Sequence, residues 1–133
     1  RAACGDALLA ACDATFARCY DALHAREGRA TCRPRRLQSF ITRYRPLPGE
    51  ASLPKHVDGI SLDGSLVVGL PTSRPFEGGG LTVWEGHPDE PVASHFFPMR
   101  AGDACFLDRL VWHQANPVTS GERWAIVIFY KAK

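Results

Sequence analysis

Long hydrophobic runs are absent from this chain of 133 residues, and so is a large excess of either charge. No apolar stretch approaches the roughly 20 residues that a helix needs to cross a bilayer, so no membrane span is predicted. The formal net charge of +2 is too small to indicate a nucleic-acid partner. The arginines between positions 33 and 45 are therefore interpreted mainly as solvated surface.

The cysteines lack the spacing of a zinc site, and their number, five, is odd. Cys4, Cys12 and Cys19 instead follow helical turns, which predicts small buried hydrophobic side chains. A disulfide that involves Cys32 or Cys105 stays open, because pairing cannot be deduced from sequence.

Internal repeats, linkers and low-complexity tracts are also lacking, and the length predicts a single domain over residues 1–133. The chain opens on Arg1 with neither an initiator methionine nor a signal-peptide pattern, so we expect an excised domain or a processed product. The sequence indicates no cellular compartment.

One amphipathic helix and a series of strands are predicted. Apolar residues recur at three- and four-residue intervals over about 6–27, and Gly28 is expected to end this helix. Short apolar segments bounded by glycine and proline predict strands at 37–44, 65–70, 81–84, 94–97, 104–107 and 124–130. This pattern favours a mainly β sandwich or jelly roll, with its core over about 37–130 and the helix packed outside.

Two histidines and a carboxylate form the most informative pattern, namely His56, Asp58 and the distant His113. If the first segment is extended, residues two apart point to the same face, and a third ligand from another strand would complete a facial triad. Such a triad holds non-heme Fe(II) and leaves coordination positions free for oxygen chemistry. Arg123 adds a planar cation that can grip a carboxylate with two hydrogen bonds.

Four motifs resemble, in order, the catalytic domain of Fe(II)/2-oxoglutarate-dependent dioxygenases, and the similarity is greatest to the prolyl and procollagen-lysyl hydroxylase branch. They are Tyr44-Arg45-Pro46, Ser52-Leu53-x-x-His56-x-Asp58, Phe76-Glu77-Gly78-Gly79-Gly80 and His113-x-x-x-Pro117-Val118-Thr119-Ser120-Gly121-x-Arg123. One departure is Leu53, which stands where prolyl hydroxylases of this branch often carry tyrosine, so the lysyl-type pattern fits better.

The resemblance implies a cupin-like double-stranded β-helix in which His56, Asp58 and His113 bind Fe(II) and form the catalytic centre. It places Arg123 on the distal carboxylate of 2-oxoglutarate. Tyr44 would contact the same carboxylate through its hydroxyl or line the pocket that holds it. The implied partners are 2-oxoglutarate, dioxygen and a peptide or small-molecule acceptor, with ascorbate as a candidate reductant. The implied reaction is hydroxylation of an unactivated C–H bond, for which a prolyl or lysyl residue is a candidate.

Two alternatives remain at this point. A catalytically silent metal-binding jelly roll with a sensing or interaction role should lack a ligand or Arg123, and neither is missing. A cupin-like enzyme that uses iron without 2-oxoglutarate would have no need of Arg123.

The other prominent residues have ordinary structural interpretations. His24, His87 and His95 are expected at the surface or as satisfied core residues, and Trp84, Trp112 and Trp124 are expected in the core. The glycines at 78–80 lack a phosphate-loop lysine, so they predict a close backbone approach or a bulge at a pocket rim. The segments 76–80 and 85–93 are expected to be mobile surface loops that govern the choice of acceptor.

Overall fold

The computed structural model describes residues 2–25 and 31–133. Within these ranges the chain forms a helix followed by ten strands. In chain order they are α1 Ala2–His24, β1 Arg35–Tyr44, β2 Leu53–His56, β3 Gly64–Leu70, β4 Glu77–Gly78, β5 Leu81–Glu85, β6 Ala93–Phe97, β7 Ala104–Asp108, β8 Trp112–Ala115, β9 Val118–Ser120 and β10 Arg123–Lys131.

Two four-stranded antiparallel sheets form the body of the molecule. The first sheet has the order β1-β10-β3-β7, and the second has the order β2-β8-β5-β6. The short strands β4 and β9 make a separate two-stranded ladder. Apart from β5 and β6, consecutive strands lie in different sheets, and this arrangement is the predicted double-stranded β-helix, or jelly roll.

The space between the two sheets is filled by side chains from both of them. Val67, Cys105 and Ala125 from the first sheet pack in one buried cluster with Leu81 and Ala115 from the second. Strands with one face turned to this core and the other turned away show the period-2 alternation that sheet packing imposes. Side chains on the inner faces therefore converge on the cavity described below.

Helix α1 packs on the outer face of the first sheet. Phe16 is completely buried there, with its ring 4.2 Å from that of Tyr130 and 5.4 Å from that of Phe106 (centroid distances). The Tyr130 hydroxyl donates a hydrogen bond to Asp13 of the helix at 2.8 Å. The predicted position of the helix outside the barrel is thus confirmed, and β10 is covered on both faces.

The predicted element bounds are close to those of the structure, with two differences at the helix. Helix α1 begins at Ala2 rather than at about residue 6 and ends at His24. Its predicted end at Gly28 lies outside the described residues. The six predicted strands are confirmed, with bounds that shift by at most two residues. No helix among the described residues has the length and apolar character needed to span a membrane.

Four strands were not predicted: β2, β4, β8 and β9. Each has at most four residues, and β2 contains Pro54 while β8 has the sequence Trp-His-Gln-Ala. Strands this short are stabilised by their neighbours in the sheet rather than by their own composition. The composition of single segments therefore could not reveal them.

The prediction that the three tryptophans lie in the core is wrong, because each is only half-buried. Trp84 and Trp112 are register partners across β5 and β8. Trp112 adjoins His113 in a strand, so the two side chains point to opposite faces, and Trp112 contacts the ring of His87 instead. Trp124 lies under the guanidinium of Arg43, at 5.4 Å.

The cysteines of the described residues whose side chains are placed are free thiols, namely Cys12, Cys19, Cys32 and Cys105. Cys12 is buried, as predicted. Cys105 is also buried, and burial raises the pKa of its thiol to about 12. Cys19 and Cys32 are only half-buried, and the side chain of Cys4 lies outside the described part of the chain.

Candidate metal centre and co-substrate pocket

Strands β2 and β8 bring the two motif histidines side by side. His56 and His113 are register partners in the antiparallel pair, and their ring centroids lie 4.3 Å apart. Asp58 follows two residues after His56 and lies beyond the end of β2, so a shared strand is not what aligns the two side chains. Its carboxylate nevertheless turns back toward the two imidazoles.

The three side chains converge on one point. The Asp58 Oδ1 atom lies 3.5 Å from His56 Nε2 and 3.4 Å from His113 Nε2. One candidate ligand atom from each residue lies within 4.8 Å of the others. Two imidazole nitrogens and one carboxylate oxygen on a single side form the donor set of a facial triad.

Backbone hydrogen bonds fix the tautomer of both histidines. His56 Nδ1 donates to the carbonyl oxygen of Pro54 at 2.7 Å, and His113 Nδ1 donates to that of Val111 at 2.9 Å. Because a carbonyl can only accept, the proton of each neutral ring sits on Nδ1. Each Nε2 is therefore left with a free lone pair directed at the same point, which is the form that binds a metal.

The carboxylate of Asp58 is held by a residue that the sequence did not single out. Ser65 of β3 is completely buried and donates its hydroxyl to Asp58 Oδ2 at 2.5 Å, which leaves Oδ1 facing the histidines. Burial by itself would raise the pKa of Asp58, but the neighbouring imidazoles of His113 and His56 and the hydroxyl of Ser65 outweigh it and hold that pKa well below the ordinary value. The group is therefore ionised at neutral pH and can bind a cation.

Arg123 lies inside the barrel, although arginine is rarely buried unless it is paired. Its side chain is 1% exposed, and its Nε and Nη1 atoms have no hydrogen-bond partner among the described residues. Burial lowers the pKa of the guanidinium, but a group of this kind stays protonated. A buried, charged donor without an acceptor is costly, so this position indicates a site for an anion.

One cavity of about 100 Å³ contains both features. Its wall includes His56, Asp58 and His113 together with Arg123 and Tyr44. The guanidinium of Arg123 lies over the Tyr44 ring, 4.7 Å from its centroid, and burial raises the pKa of the tyrosine hydroxyl. The structure thus brings together all five residues that the sequence singled out.

The glycines at 78–80 shape the wall behind Arg123. All three have positive φ angles, and the β4–β9 ladder shifts register between Glu77 and Gly78. A Cβ atom on Gly79 would lie 3.4 Å from Arg123 Cδ. The predicted close backbone approach is confirmed, whereas the expectation of a surface loop over 76–80 is wrong because Gly79 and Gly80 are buried.

The remaining histidines take no part in the cluster. His24 pairs with Asp108 at 2.7 Å, and His95 pairs with Glu85 at 3.2 Å. His87 packs edge-on against Trp112. Each therefore has an ordinary structural environment, as predicted.

Comparison with known families agrees with this geometry. The model of the 2OG-Fe(II) oxygenase superfamily matches residues 39–131, which is more than half of the chain. The chain belongs to the 2OG-Fe(II) oxygenase superfamily. This family is one of oxidoreductases, and its cofactors are Fe(II) and 2-oxoglutarate, as predicted. A comparison with curated proteins gives no significant match.

Several solved structures share the fold of this oxygenase-family chain. A 2OG-Fe(II) oxygenase family oxidoreductase from Burkholderia pseudomallei has a TM-score of 0.65 and 21% identity, covering 91% of this chain and 54% of that one. A prolyl-4-hydroxylase from Pseudomonas putida has a TM-score of 0.56 and 21% identity, covering 71% and 52%. The epimerase SnoN from nogalamycin biosynthesis has a TM-score of 0.52 and 20% identity, covering 73% and 46%. The chain thus spans about half the length of these proteins.

Proposed function

We propose that the chain is the catalytic domain of an Fe(II)- and 2-oxoglutarate-dependent hydroxylase. The observation that carries this proposal is the buried guanidinium of Arg123, whose Nε and Nη1 have no partner among the described residues, in the same cavity as the His56, Asp58 and His113 cluster. The cluster supplies the donors that suit iron, and Arg123 supplies the cation that a dicarboxylic acid needs at its far end.

The proposed reaction converts an acceptor R–H, dioxygen and 2-oxoglutarate into R–OH, succinate and carbon dioxide. The iron, when bound, supplies the activation of dioxygen that this chemistry requires. The oxidation of 2-oxoglutarate by loss of carbon dioxide provides two electrons, and the C–H bond provides the other two. One oxygen atom enters succinate and the other enters the acceptor, so the equation balances.

The protein residues hold the reactants in place. His56, Asp58 and His113 would bind the metal through Nε2, Oδ1 and Nε2, and the hydrogen bonds behind these ligands keep the atoms directed at one point. Asp58 also favours hydroxylation over halogenation, because a small residue in its place would open a position for halide. Ascorbate stays a prediction, since no feature of the cavity tests it.

Arg123 and Tyr44 would bind the distal carboxylate of 2-oxoglutarate. The guanidinium offers donors that no protein group takes up among the described residues, and its burial strengthens a charge-assisted hydrogen bond. The ring of Tyr44 holds the guanidinium by a cation–π contact. The acceptor of this hydroxylation would be a prolyl or lysyl residue or a small molecule.

The direct experiment is an assay of succinate formation from 2-oxoglutarate with Fe(II), with and without a panel of acceptor peptides and small molecules. We expect slow succinate formation without acceptor and a coupled increase with a suitable one. A protein that binds Fe(II) but releases no succinate under any condition would contradict the proposal and favour the silent metal-binding module.

Ser65→Ala is expected to weaken metal binding by about tenfold to a hundredfold, because the partner of a ligating carboxylate tunes its orientation. Titration of the metal-free protein with Co(II), followed by its visible absorption, measures the affinity. Ser65→Thr retains a hydroxyl and should recover part of the loss. Equal Co(II) affinity in Ser65→Ala and the unaltered protein would show that Asp58 is oriented without Ser65.

Tyr44→Phe tests the hydroxyl of the co-substrate pocket separately from the ring. An ordinary hydrogen bond contributes about 0.5–1.5 kcal/mol, so we expect 2-oxoglutarate to bind several-fold more weakly with no change in which acceptor is hydroxylated. Affinity for 2-oxoglutarate and product identity are measured in the same preparations. Normal co-substrate affinity with an altered acceptor preference would place Tyr44 on the acceptor side of the iron.

A further inference from the structure

The cavity continues past the metal cluster to an end that the co-substrate residues do not reach. Arg123, Ala125, Val127 and Phe129 alternate along β10, and all four line the cavity. At about 3.3 Å per residue, the backbone distance from Arg123 to Phe129 is roughly 20 Å. Arg123 thus marks one end of the cavity, and Phe129 marks the other.

Phe129 lies next to the metal cluster. It is the register partner of Ser65 on the neighbouring strand β3, and Ser65 holds Asp58 by its hydroxyl. Paired side chains on one face of a sheet have Cβ atoms about 4.5–5.5 Å apart. The side chain of Ser65 thus links the two positions: it neighbours the Phe129 ring on the sheet and binds the Asp58 carboxylate, which faces the two histidines.

Phe129 forms an aromatic pair with Phe40 of β1. The ring centroids are 5.5 Å apart, and the rings meet edge to face at 72°. Both rings are only half-buried, although both line the cavity. They thus present apolar surface inside the cavity, and aromatic surface of this kind gains from contact with another apolar group.

The charges of the cavity decide which acceptor suits this surface. Of the described residues that line it, only Asp58 carries a carboxylate, and that carboxylate is held by Ser65 and belongs to the metal cluster. The other ionised group is the cation Arg123. A buried ammonium group would find no free counter-charge here, and an unpaired charge is costly to desolvate.

We propose that Phe40 and Phe129 form the acceptor-binding wall, and that the group carrying the reacting carbon is uncharged and apolar. This inference rests on the proposed function and deepens it. An aliphatic or cyclic side chain packs on the aromatic pair beside the metal cluster, while an aminoalkyl side chain is excluded, so the lysyl side chain is ruled out among the acceptors considered above. Phe40 and Phe129 are thus specificity-determining residues.

The test uses two isosteric probes, N-acetyl-norleucinamide and N-acetyl-ornithinamide. The side chain of the first ends in a methyl group, and that of the second ends in an ammonium group. Each is titrated into protein loaded with Mn(II) and 2-oxoglutarate without oxygen, and the paramagnetic relaxation of the terminal methyl or methylene protons reports their approach to the metal. Variants Phe40→Ala, Phe129→Ala and Phe129→Leu are compared with Phe96→Ala, which removes an exposed ring outside the lining of this cavity.

We expect strong relaxation of the norleucine methyl group and at least about fivefold weaker binding of this probe in the Phe40 and Phe129 variants. We expect Phe96→Ala to behave like the unaltered protein. Thermal unfolding identifies any variant that fails to fold, and Phe129→Leu keeps apolar volume without the ring. Phe40 lies on the edge strand β1, so its replacement provides a second test if Phe129→Ala is unfolded.

The inference is overturned if the ornithine probe is relaxed as strongly as the norleucine probe. It is likewise overturned if neither probe is relaxed, or if folded Phe40 and Phe129 variants bind the norleucine probe normally. Succinate formation is measured with Fe(II) in parallel. Succinate production with the wrong probe selectivity rejects this inference alone, whereas absent succinate rejects the proposed function.

Discussion

Replacing His56, Asp58 or His113 with alanine, one at a time, is expected to abolish iron binding or succinate formation. Each variant removes one of three converging donors, and two donors on a partly open site hold a divalent cation far more weakly. Fe(II) content after anaerobic loading and desalting gives the first readout. Succinate release from 2-oxoglutarate gives the second.

His24→Ala is the matched control for these variants. His24 is a histidine paired with a carboxylate, Asp108, but it lies on helix α1 and outside the cluster. It should keep full iron content and normal succinate release. If two of the three ligand variants retained near-normal decarboxylation of 2-oxoglutarate, the assignment of the metal ligands would be wrong.

Arg123→Ala is expected to raise the concentration of 2-oxoglutarate required for half-saturation by roughly thirtyfold to more than a hundredfold. The physical reason is the loss of a charge-assisted interaction of about 2–3 kcal/mol in a buried pocket. Iron should stay bound, because Arg123 is not one of the three residues, His56, Asp58 and His113, that would bind it. The measurement is a 2-oxoglutarate titration at saturating Fe(II).

Arg43→Ala provides the control for loss of positive charge. Arg43 directly precedes Tyr44, the last residue of β1, yet it is exposed and stacks on Trp124. Removing it should leave the requirement for 2-oxoglutarate unchanged. An Arg123→Ala protein with an unaltered requirement would show that the co-substrate carboxylate is bound elsewhere.

The residues that could be predicted from the sequence are those whose chemistry is unusual for their surroundings. A His-x-Asp pair, a distant His113 and Arg123 have few structural explanations in one small chain, and the motifs around them resemble a known family. Their convergence also follows from strand geometry, since His56 and His113 become register partners. The amphipathic pattern of α1 and the apolar strand segments were readable for the same reason, namely periodicity.

Ser65 and the aromatic pair were not predicted, because their functional partners are distant in the sequence. Ser65 is one small polar residue in the apolar strand β3, and its partner Asp58 becomes visible only when the loop after β2 turns back. Phe40 and Phe129 look like ordinary strand residues until the register places them on the inner face. The signal that could have pointed to Ser65 is a hydroxyl inside an otherwise apolar strand.

The tryptophans show the opposite error, in which residue type was given too much weight. A large ring predicts burial on average, but its position in the strand decides which face it takes. Because His113 faces the cavity, Trp112 beside it must face outward. The alternation of side chains along β8 therefore keeps Trp112 out of the cavity.

The most direct test of the account is an anaerobic titration of the Fe(II)-loaded protein with 2-oxoglutarate, followed by the visible charge-transfer absorption of the iron chelate. The account predicts a band that saturates at one 2-oxoglutarate per chain, is absent in Asp58→Ala and requires far more co-substrate in Arg123→Ala. It also predicts an unchanged titration in Arg43→Ala. A protein that binds 2-oxoglutarate without the metal, or that titrates normally in Arg123→Ala, would contradict the account.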